Sequence, residues 1–471
     1  MQKEGKLFSN TLLLGVTSAI SKAITFLMLP VYTAALSPAE FGVAEILVST
    51  AVLLLPLVSL YAPEAVFRFR AGGEQGALTT GGLFLLIGLL VFALSLPLVG
   101  LSPRLRPYLW LLYAYVAASL LRSFLAHVLR SDGAFGIYAL QQLFCTLLTV
   151  LFQFLLLRVY QRGVQGYLLA VVLADATTFL VLFATQPRRF LPDGAVRRAL
   201  CGKMASYALP MIPSTVLWWV IAVSDRYLIL LWAGESATGL YAAAGRFPGL
   251  LTLAVSVFLE GWHYAALRAK KEEQGALFGR IYALFLPLLV LLCVGLILFS
   301  LPLVRLFTSS VYERAAAFVP LLMFGTLCAG LANFLGSVYH LHLRSGATLF
   351  TAALAAGVNV GLNLLLLPSI GVLGAALSTA IAYALLFAVR LWHTARYLRF
   401  SRFAPRTAAS FCSLFLGCVL LALGCVWQGY LLCLVATLPV AGKILCALRF
   451  LQHRGLAFWK EVAGKRNFLK K

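Results

Sequence analysis

The chain has 471 residues, 62% of them hydrophobic and only 11% charged, with 38 Lys and Arg against 15 Asp and Glu for a formal net charge of +23. A mean hydropathy of +0.95 excludes most functions of water-exposed proteins and leaves a polytopic membrane chain whose working surface lies inside a helix bundle or at the bilayer faces. The charge alone would fit a nucleic-acid binder, but its distribution, concentrated in alternate loops, does not.

Fourteen apolar segments follow one another almost end to end, at roughly 11–33, 43–66, 78–101, 108–129, 134–157, 164–185, 205–231, 239–262, 277–299, 316–339, 346–367, 371–389, 407–427 and 430–448. Each is long enough to cross the ~30 Å hydrocarbon core as a helix and about twice the length of a barrel strand. The predicted fold class is therefore all-α, with about 14 transmembrane helices. The first segment is too long for a signal peptide, carries Lys22 and is followed by thirteen more.

Span 1 carries a polar stripe, Thr11, Ser18, Ser21, Lys22 and Thr25, at helical spacing, followed by Pro30, which is expected to bend its outer end. Lys22 sits near mid-span. A centred charge costs at least ~2.5–3.5 kcal/mol on insertion scales, so it should face a wet or paired interior. Span 2 places Glu45, Ser49, Pro56 and Pro63 at helical spacing. Arg68 and Arg70 follow it on the basic side and are candidates for a cytoplasmic entrance, as is Arg122, about two turns from the inner end of span 4. Asp175, near the middle of span 6, is the most isolated deep acid. It could pair with Lys22, bind a coupling ion, or be a protonated carboxyl in an apolar site.

In span 7, Ser214, Trp218 and Asp225 share a face, Pro210 and Pro213 loosen the inner half, and Arg226 directly follows Asp225. In span 8, Arg246 lies about two turns in, flanked by Gly245 and Gly249, with Ser256 and Glu260 continuing along its face. Arg280 and Lys443 are near inner ends and can snorkel. Spans 1, 2, 7 and 8 are thus the polar helices and are predicted to line a central cavity. Lys22, Arg226, Arg246, Ser18, Ser21, Thr25 and Trp218 are its candidate substrate-binding residues, with Asp175, Asp225 and Glu45 as coupling or gating acids.

The basic residues crowd the even-numbered loops and both tails, the positive-inside pattern, which places both termini in the cytoplasm next to anionic headgroups. All nine cysteines but Cys201 fall within spans, no CxxC pair occurs, and His340 and His342 have no partner ligands, so neither a disulfide framework nor a metal site is expected. No cofactor is called for either. There is no GxxxxGK[ST] pattern, which argues against direct ATP hydrolysis and leaves a gradient of ions, voltage or substrate as the driving force.

The body repeats weakly. Leu36–Val43 after span 1 and Ala233–Leu240 after span 7 are both short outer loops with an acid and a closing glycine. Gly163-Val164-Gln165-Gly166 opens span 6 as Gly371-Val372-Leu373-Gly374 opens span 12. Two six-helix halves of the same orientation follow, predicted as lobes at 1–190 and 191–400 with an appended pair of helices and a basic tail at 401–471.

Asn10-Thr11-Leu12-Leu13-Leu14-Gly15, Ser21-Lys22, Leu29-Pro30-Val31-Tyr32 and Leu36 to Gly42 closely resemble the start of the polysaccharide transporter family, the O-antigen (Wzx-like) flippases. So do Arg68-Phe69-Arg70, Leu209-Pro210, Ser224-Asp225-Arg226-Tyr227 and the opening of span 12, and the similarity runs from residue 10 to about 395. The family belongs to the multidrug-and-toxin-extrusion superfamily. The resemblance implies a V-shaped, alternating-access bundle in the bacterial cytoplasmic membrane that moves undecaprenyl-pyrophosphate-linked oligosaccharides to the outer leaflet. It also implies H+ or Na+ as possible coupling ions and polysaccharide polymerase machinery as a possible partner. Three rivals stay open: a peptidoglycan-precursor flippase, a cation-coupled drug exporter of the same fold, and a membrane polymerase or ligase.

Overall fold

In the computed structural model the described residues are 2–95, 106–268, 271–341, 345–396 and 405–440. Lys443 and the basic tail lie outside them, as do His342 and the side chains of Ser214, Glu260 and His340. The described residues form helices throughout, with no strand among them. The first half runs α1 (Gln2–Leu27), α2 (Leu29–Ala35), α3 (Pro38–Val58), α4 (Ala62–Ala71), α5 (Ala77–Leu94), α6 (Leu109–Ser131), α7 (Phe135–Phe154) and α8 (Gly163–Thr185). The second runs α9 (Arg198–Ala244, broken at Gly234, where φ is 83°), α10 (Pro248–Arg268), α11 (Lys271–Leu298), α12 (Ser300–Phe307), α13 (Val319–Leu341), α14 (Ser345–Ile370) and α15 (Val372–Thr394), and α16 (Pro405–Ala422) and α17 (Val426–Val435) follow.

A helix stands at each of the fourteen predicted segments, and among the described residues eleven are long and apolar enough to cross a membrane. Spans 8, 13 and 14 correspond to the shorter apolar helices Pro248–Leu259, Thr407–Ala422 and Val426–Val440. The helix at span 8, α10, runs Pro248–Arg268 after a turn at 245–247, and its described side chains give the apolar stretch Pro248–Leu259. Span 2, predicted as one helix, is two. Pro56 lies in the last turn of α3, Leu60 and Tyr61 take left-handed backbone angles (φ 51° and 59°), and Pro63 then opens α4. Proline lacks the N–H that would continue a ladder and fits a first turn, so the two prolines mark the ends of a break. Span 1 breaks likewise at Met28, with Pro30 in the first turn of α2.

The repeat-related loops meet. A Cβ on Gly42 would lie 2.2 Å from the Glu235 carbonyl oxygen, and one on Gly239 would lie 1.7 Å from that of Pro38. The duplicated glycines are therefore the crossing point where the two halves touch backbone to backbone, which a side chain would forbid. The same end is closed by Ser309, whose hydroxyl donates to the Thr33 carbonyl at 2.7 Å, and by Tyr312, whose hydroxyl donates to that of Leu36 at 2.9 Å. We call this the sealed end.

At the opposite end, ion pairs tie the loops of the first half together. Arg70 binds Asp132 at 2.8 Å and Asp193 at 3.5 Å, Arg189 binds Asp132 at 3.3 Å, and Asp193 accepts from the free N–H groups of Leu78 and Thr79 at the start of α5. A carboxylate there satisfies orphan donors and complements the helix dipole.

Candidate functional site

A cavity of about 1040 Å³ lies between the halves, lined by α1, α3, the end of α6, α7, α9, the 245–249 break and α10. Among the described residues four cations face it, Lys22, Arg130, Arg226 and Arg246, with one acid, Glu45. Ser18, Ser21 and Thr25 line it as their spacing predicted, on the same wall as Lys22. Spans 1, 2, 7 and 8 do contribute, as predicted, but α7 also supplies Tyr138, Gln142 and Thr146. Span 5 has no deep charge, so polar periodicity of neutral residues was the only signal that could have found it.

Glu45 belongs to the first half, and both of its arginines to the second. Its buried carboxylate pairs with Arg226 at 3.2 Å and with Arg246, and it accepts from the Tyr167 hydroxyl at 3.3 Å. Arg226 also donates to the Ser49 hydroxyl at 3.2 Å, and the Trp219 indole donates to the Ser49 carbonyl at 2.9 Å. The cluster sits just inside the sealed end, so its charges cross between halves where the backbones already touch. A buried carboxylate shared by two guanidiniums is well compensated, whereas loss of any member leaves an unpaired charge. Arg246 is also within 5.9 Å of the Phe41 ring centre.

Lys22 is different. Its ammonium donates to the Ser256 hydroxyl at 3.3 Å, and no carboxylate among the described residues lies within ion-pair distance. Thr146 donates to Ser21 at 3.2 Å, which joins α7 to the polar face of α1.

Several predicted placements are corrected. Arg122 does not line the cavity. It pairs with Asp175 at 2.6 Å inside the first half, where Ser119 and Cys145 also donate to that carboxylate. Asp175 is therefore neither isolated nor bound to Lys22. Two turns on from Arg122, Arg130 takes the cavity-facing position. Trp218 does not line the cavity either. Its ring lies 5.8 Å from the guanidinium carbon of Arg390, a fully buried arginine that donates to the Ala332 carbonyl at 2.9 Å and the Thr351 hydroxyl at 3.2 Å. Arg390 falls one residue past predicted span 12, so it was read as a loop charge.

Asp225 does not engage the Arg226 guanidinium. It accepts from the Arg226 backbone N–H at 2.8 Å, the Tyr241 hydroxyl at 2.5 Å and the Thr379 hydroxyl at 3.3 Å, and Thr379 in turn accepts from Asn359 at 3.2 Å. It is thus a buried carboxylate held by neutral donors, with no cation in ion-pair contact among the described residues. Arg68 is exposed in the last turn of α4, and Arg70 is in the loop cluster described above.

A family profile described as "Polysaccharide biosynthesis protein" matches residues 7–263. No curated protein matches the chain. Among solved structures, the lipid II flippase MurJ in an inward closed conformation aligns at TM-score 0.66 and 13% identity, over 94% of this chain and 99% of that one. An inward-facing multidrug resistance MATE family transporter aligns at TM-score 0.65 and 15% identity, over 80% and 94%. The Vibrio cholerae MATE transporter VcmN aligns at 0.56 and 17%, over 84% and 97%. At these identities the likeness is one of fold, a multi-pass helical membrane architecture.

Proposed function

The chain belongs to the polysaccharide biosynthesis protein family, and from that premise we propose that it is a flippase for an undecaprenyl-pyrophosphate-linked oligosaccharide. It would work by alternating access between lobes at 1–190 and 191–400, with 401–471 appended, in the bacterial cytoplasmic membrane. The observation that carries this reading is the cavity's charge: four cations and one acid, with the acid consumed by two of the cations. Such a cavity favours an anionic cargo. Lys22, at mid-span and without a carboxylate partner among the described residues, is the residue we assign to the pyrophosphate. The polyprenyl tail would remain in lipid, and no bond is made or broken. With both termini cytoplasmic, the sealed end is the outer end, and the state described faces inward.

A drug exporter of the same fold would need a free acid to receive a cation, and among the described residues the cavity's one acid is already paired with two arginines. The peptidoglycan-precursor reading is kept as second. MurJ is covered almost completely and aligns over more of this chain than the MATE transporters do. Coupling is assigned to Asp225. Of the three candidate acids, Asp175 and Glu45 are neutralised by arginines, whereas Asp225 is held by neutral donors alone, so a proton or sodium ion can bind there without first displacing a cation.

The test is flipping in proteoliposomes with a fluorescent undecaprenyl-pyrophosphate-linked oligosaccharide. Lys22→Gln should cut the rate about tenfold or more, the order expected for losing a charge-assisted contact, and Lys22→Arg should retain part of it. Wild-type flipping by Lys22→Gln removes the anchor from this reading. Flipping of lipid II but not of the oligosaccharide substrate supports the second.

A further inference from the structure

Arg130 is the cavity's other unneutralised cation. Its guanidinium carbon lies 4.8 Å from the Phe67 ring centre and 5.4 Å from that of Tyr138, so two aromatic groups clamp it. Its Nε is buried with no hydrogen-bond partner, and no carboxylate among the described residues is within ion-pair distance. Glu64 is the nearest acid in the electrostatics of this corner. Its ion-pair contact is with His127 at 3.9 Å rather than with Arg130. An aromatic clamp orders a guanidinium without cancelling its charge, and the fork of N–H groups it presents matches an oxyanion in two-point contact.

The wall beside Arg130 has a definite chemistry. Tyr138, Gln142 and Thr146 lie at successive fourth positions of α7, one face of that helix, and Thr146 is bonded to Ser21 of α1. This wall offers hydroxyls and an amide with no further charge. The lining from Pro248 to Leu253 is mostly small and apolar, with Thr252 adding a hydroxyl, and it follows directly on Arg246. A lining that combines hydroxyls and an amide with apolar surface suits a sugar ring, with its hydroxyl edges and its C–H face.

We infer that Arg130, with Tyr138 and Gln142, forms a second anion subsite that takes an oxyanion substituent on the glycan itself, so that the preferred cargo is an acidic saccharide. This rests on the proposed function. It separates two sources of negative charge, the carrier pyrophosphate at Lys22 and the acidic sugar at Arg130.

The experiment uses the full chain in nanodiscs and reads the thermal-unfolding midpoint against concentration for three probes: trigalacturonate, a neutral trisaccharide and inorganic pyrophosphate. Trigalacturonate should stabilise the wild type and Lys22→Gln, and its apparent affinity should fall about tenfold or more in Arg130→Gln, the scale of a two-point charge-assisted contact. Pyrophosphate should show the reverse dependence, and the neutral trisaccharide should shift the midpoint least. Arg130→Lys keeps the charge but not the fork and should be intermediate. With Tyr138→Leu, which loosens the clamp, it carries the test if Arg130→Gln does not fold. A trigalacturonate shift that survives Arg130→Gln overturns the inference. So does a pyrophosphate shift lost in Arg130→Gln, which would give Arg130 to the carrier. No trigalacturonate shift, with a Lys22-dependent pyrophosphate shift intact, overturns the acidic-glycan subsite and leaves the flippase reading standing. Loss of both shifts in the wild type overturns both.

Discussion

The two ends of the cavity hold the same residue types in opposite electrostatic states. At the sealed end, Arg226 and Arg246 share Glu45 across the halves, beside backbones packed through Gly42 and Gly239. Toward the other end, Lys22 and Arg130 have no carboxylate within ion-pair distance among the described residues. An arginine in a membrane cavity is therefore not by itself a substrate ligand. Where its counter-ion comes from the other half of the protein, it acts as a latch, and where none is present the cargo can supply one.

The largest effect should follow from breaking the latch. Glu45→Gln leaves two guanidiniums facing each other, and removal of one partner from a buried pair costs on the order of 3–5 kcal/mol. Thermal unfolding should shift down, flipping should be abolished, and a cysteine placed at Ser37 should label faster as the sealed end opens. If labelling and stability match the wild type, the cluster is not a latch. Gly239→Ala tests the same closure by shape alone, since its new Cβ would meet the Pro38 carbonyl at 1.7 Å. Overpacking of this kind costs roughly 1–3 kcal/mol, and spin-label distances across the sealed end should lengthen while the charges stay intact. Normal flipping by this variant would mean that the crossing relaxes without cost.

Much of this was legible in the sequence. The apolar period located the spanning segments, though not the breaks inside spans 1 and 2 or the short helix α12, and Ser18, Ser21, Lys22 and Thr25, one stripe by spacing, line the cavity. The duplicated loops identified Gly42 and Gly239 without revealing that they touch. What escaped reading was pairing. Arg122 and Asp175 are 53 positions apart, and Glu45 and Arg246 are 201 apart, and one chain does not state which distant charges meet. Arg130 and Arg390 were assigned to loops because an apolar window ends at a charge, although each lies in the last turn or two of its helix. The breaks at Met28 and at residues 59–61 went unplaced because a proline shows that a helix is interrupted somewhere near, not which residue turns.

The two deep acids sharpen the comparison further. Asp225 is held by Tyr241, Thr379 and a backbone N–H, and Asp175 by Arg122. Asp225→Asn should therefore remove the dependence of flipping on an imposed proton or sodium gradient while leaving a slower, concentration-driven rate. Asp175→Asn should lower thermal stability, since Arg122 loses its partner, and leave the gradient dependence unchanged. If the two variants exchange these phenotypes, the coupling assignment belongs to Asp175. If neither changes the gradient dependence, coupling lies elsewhere.

The smallest effect is expected at Arg68. Sequence position made it an entrance candidate alongside Arg70, but the two differ in setting. Arg70 is locked into the Asp132 and Asp193 cluster, while Arg68 is exposed, has no ion pair among the described residues and does not line the cavity. A solvated charge away from packed features usually contributes within about 0.5 kcal/mol, and its attraction for an anionic lipid falls off within a Debye length of roughly 8–10 Å. Arg68→Gln should thus unfold at the wild-type temperature and flip at the wild-type maximal rate. A purely steering role would appear as a raised substrate concentration for half-maximal flipping at low salt that vanishes at high salt, because screening removes the same attraction in the wild type. A fall in maximal rate at every salt concentration would instead place Arg68 in contact with the cargo and extend the free-cation end of the cavity to the surface of α4.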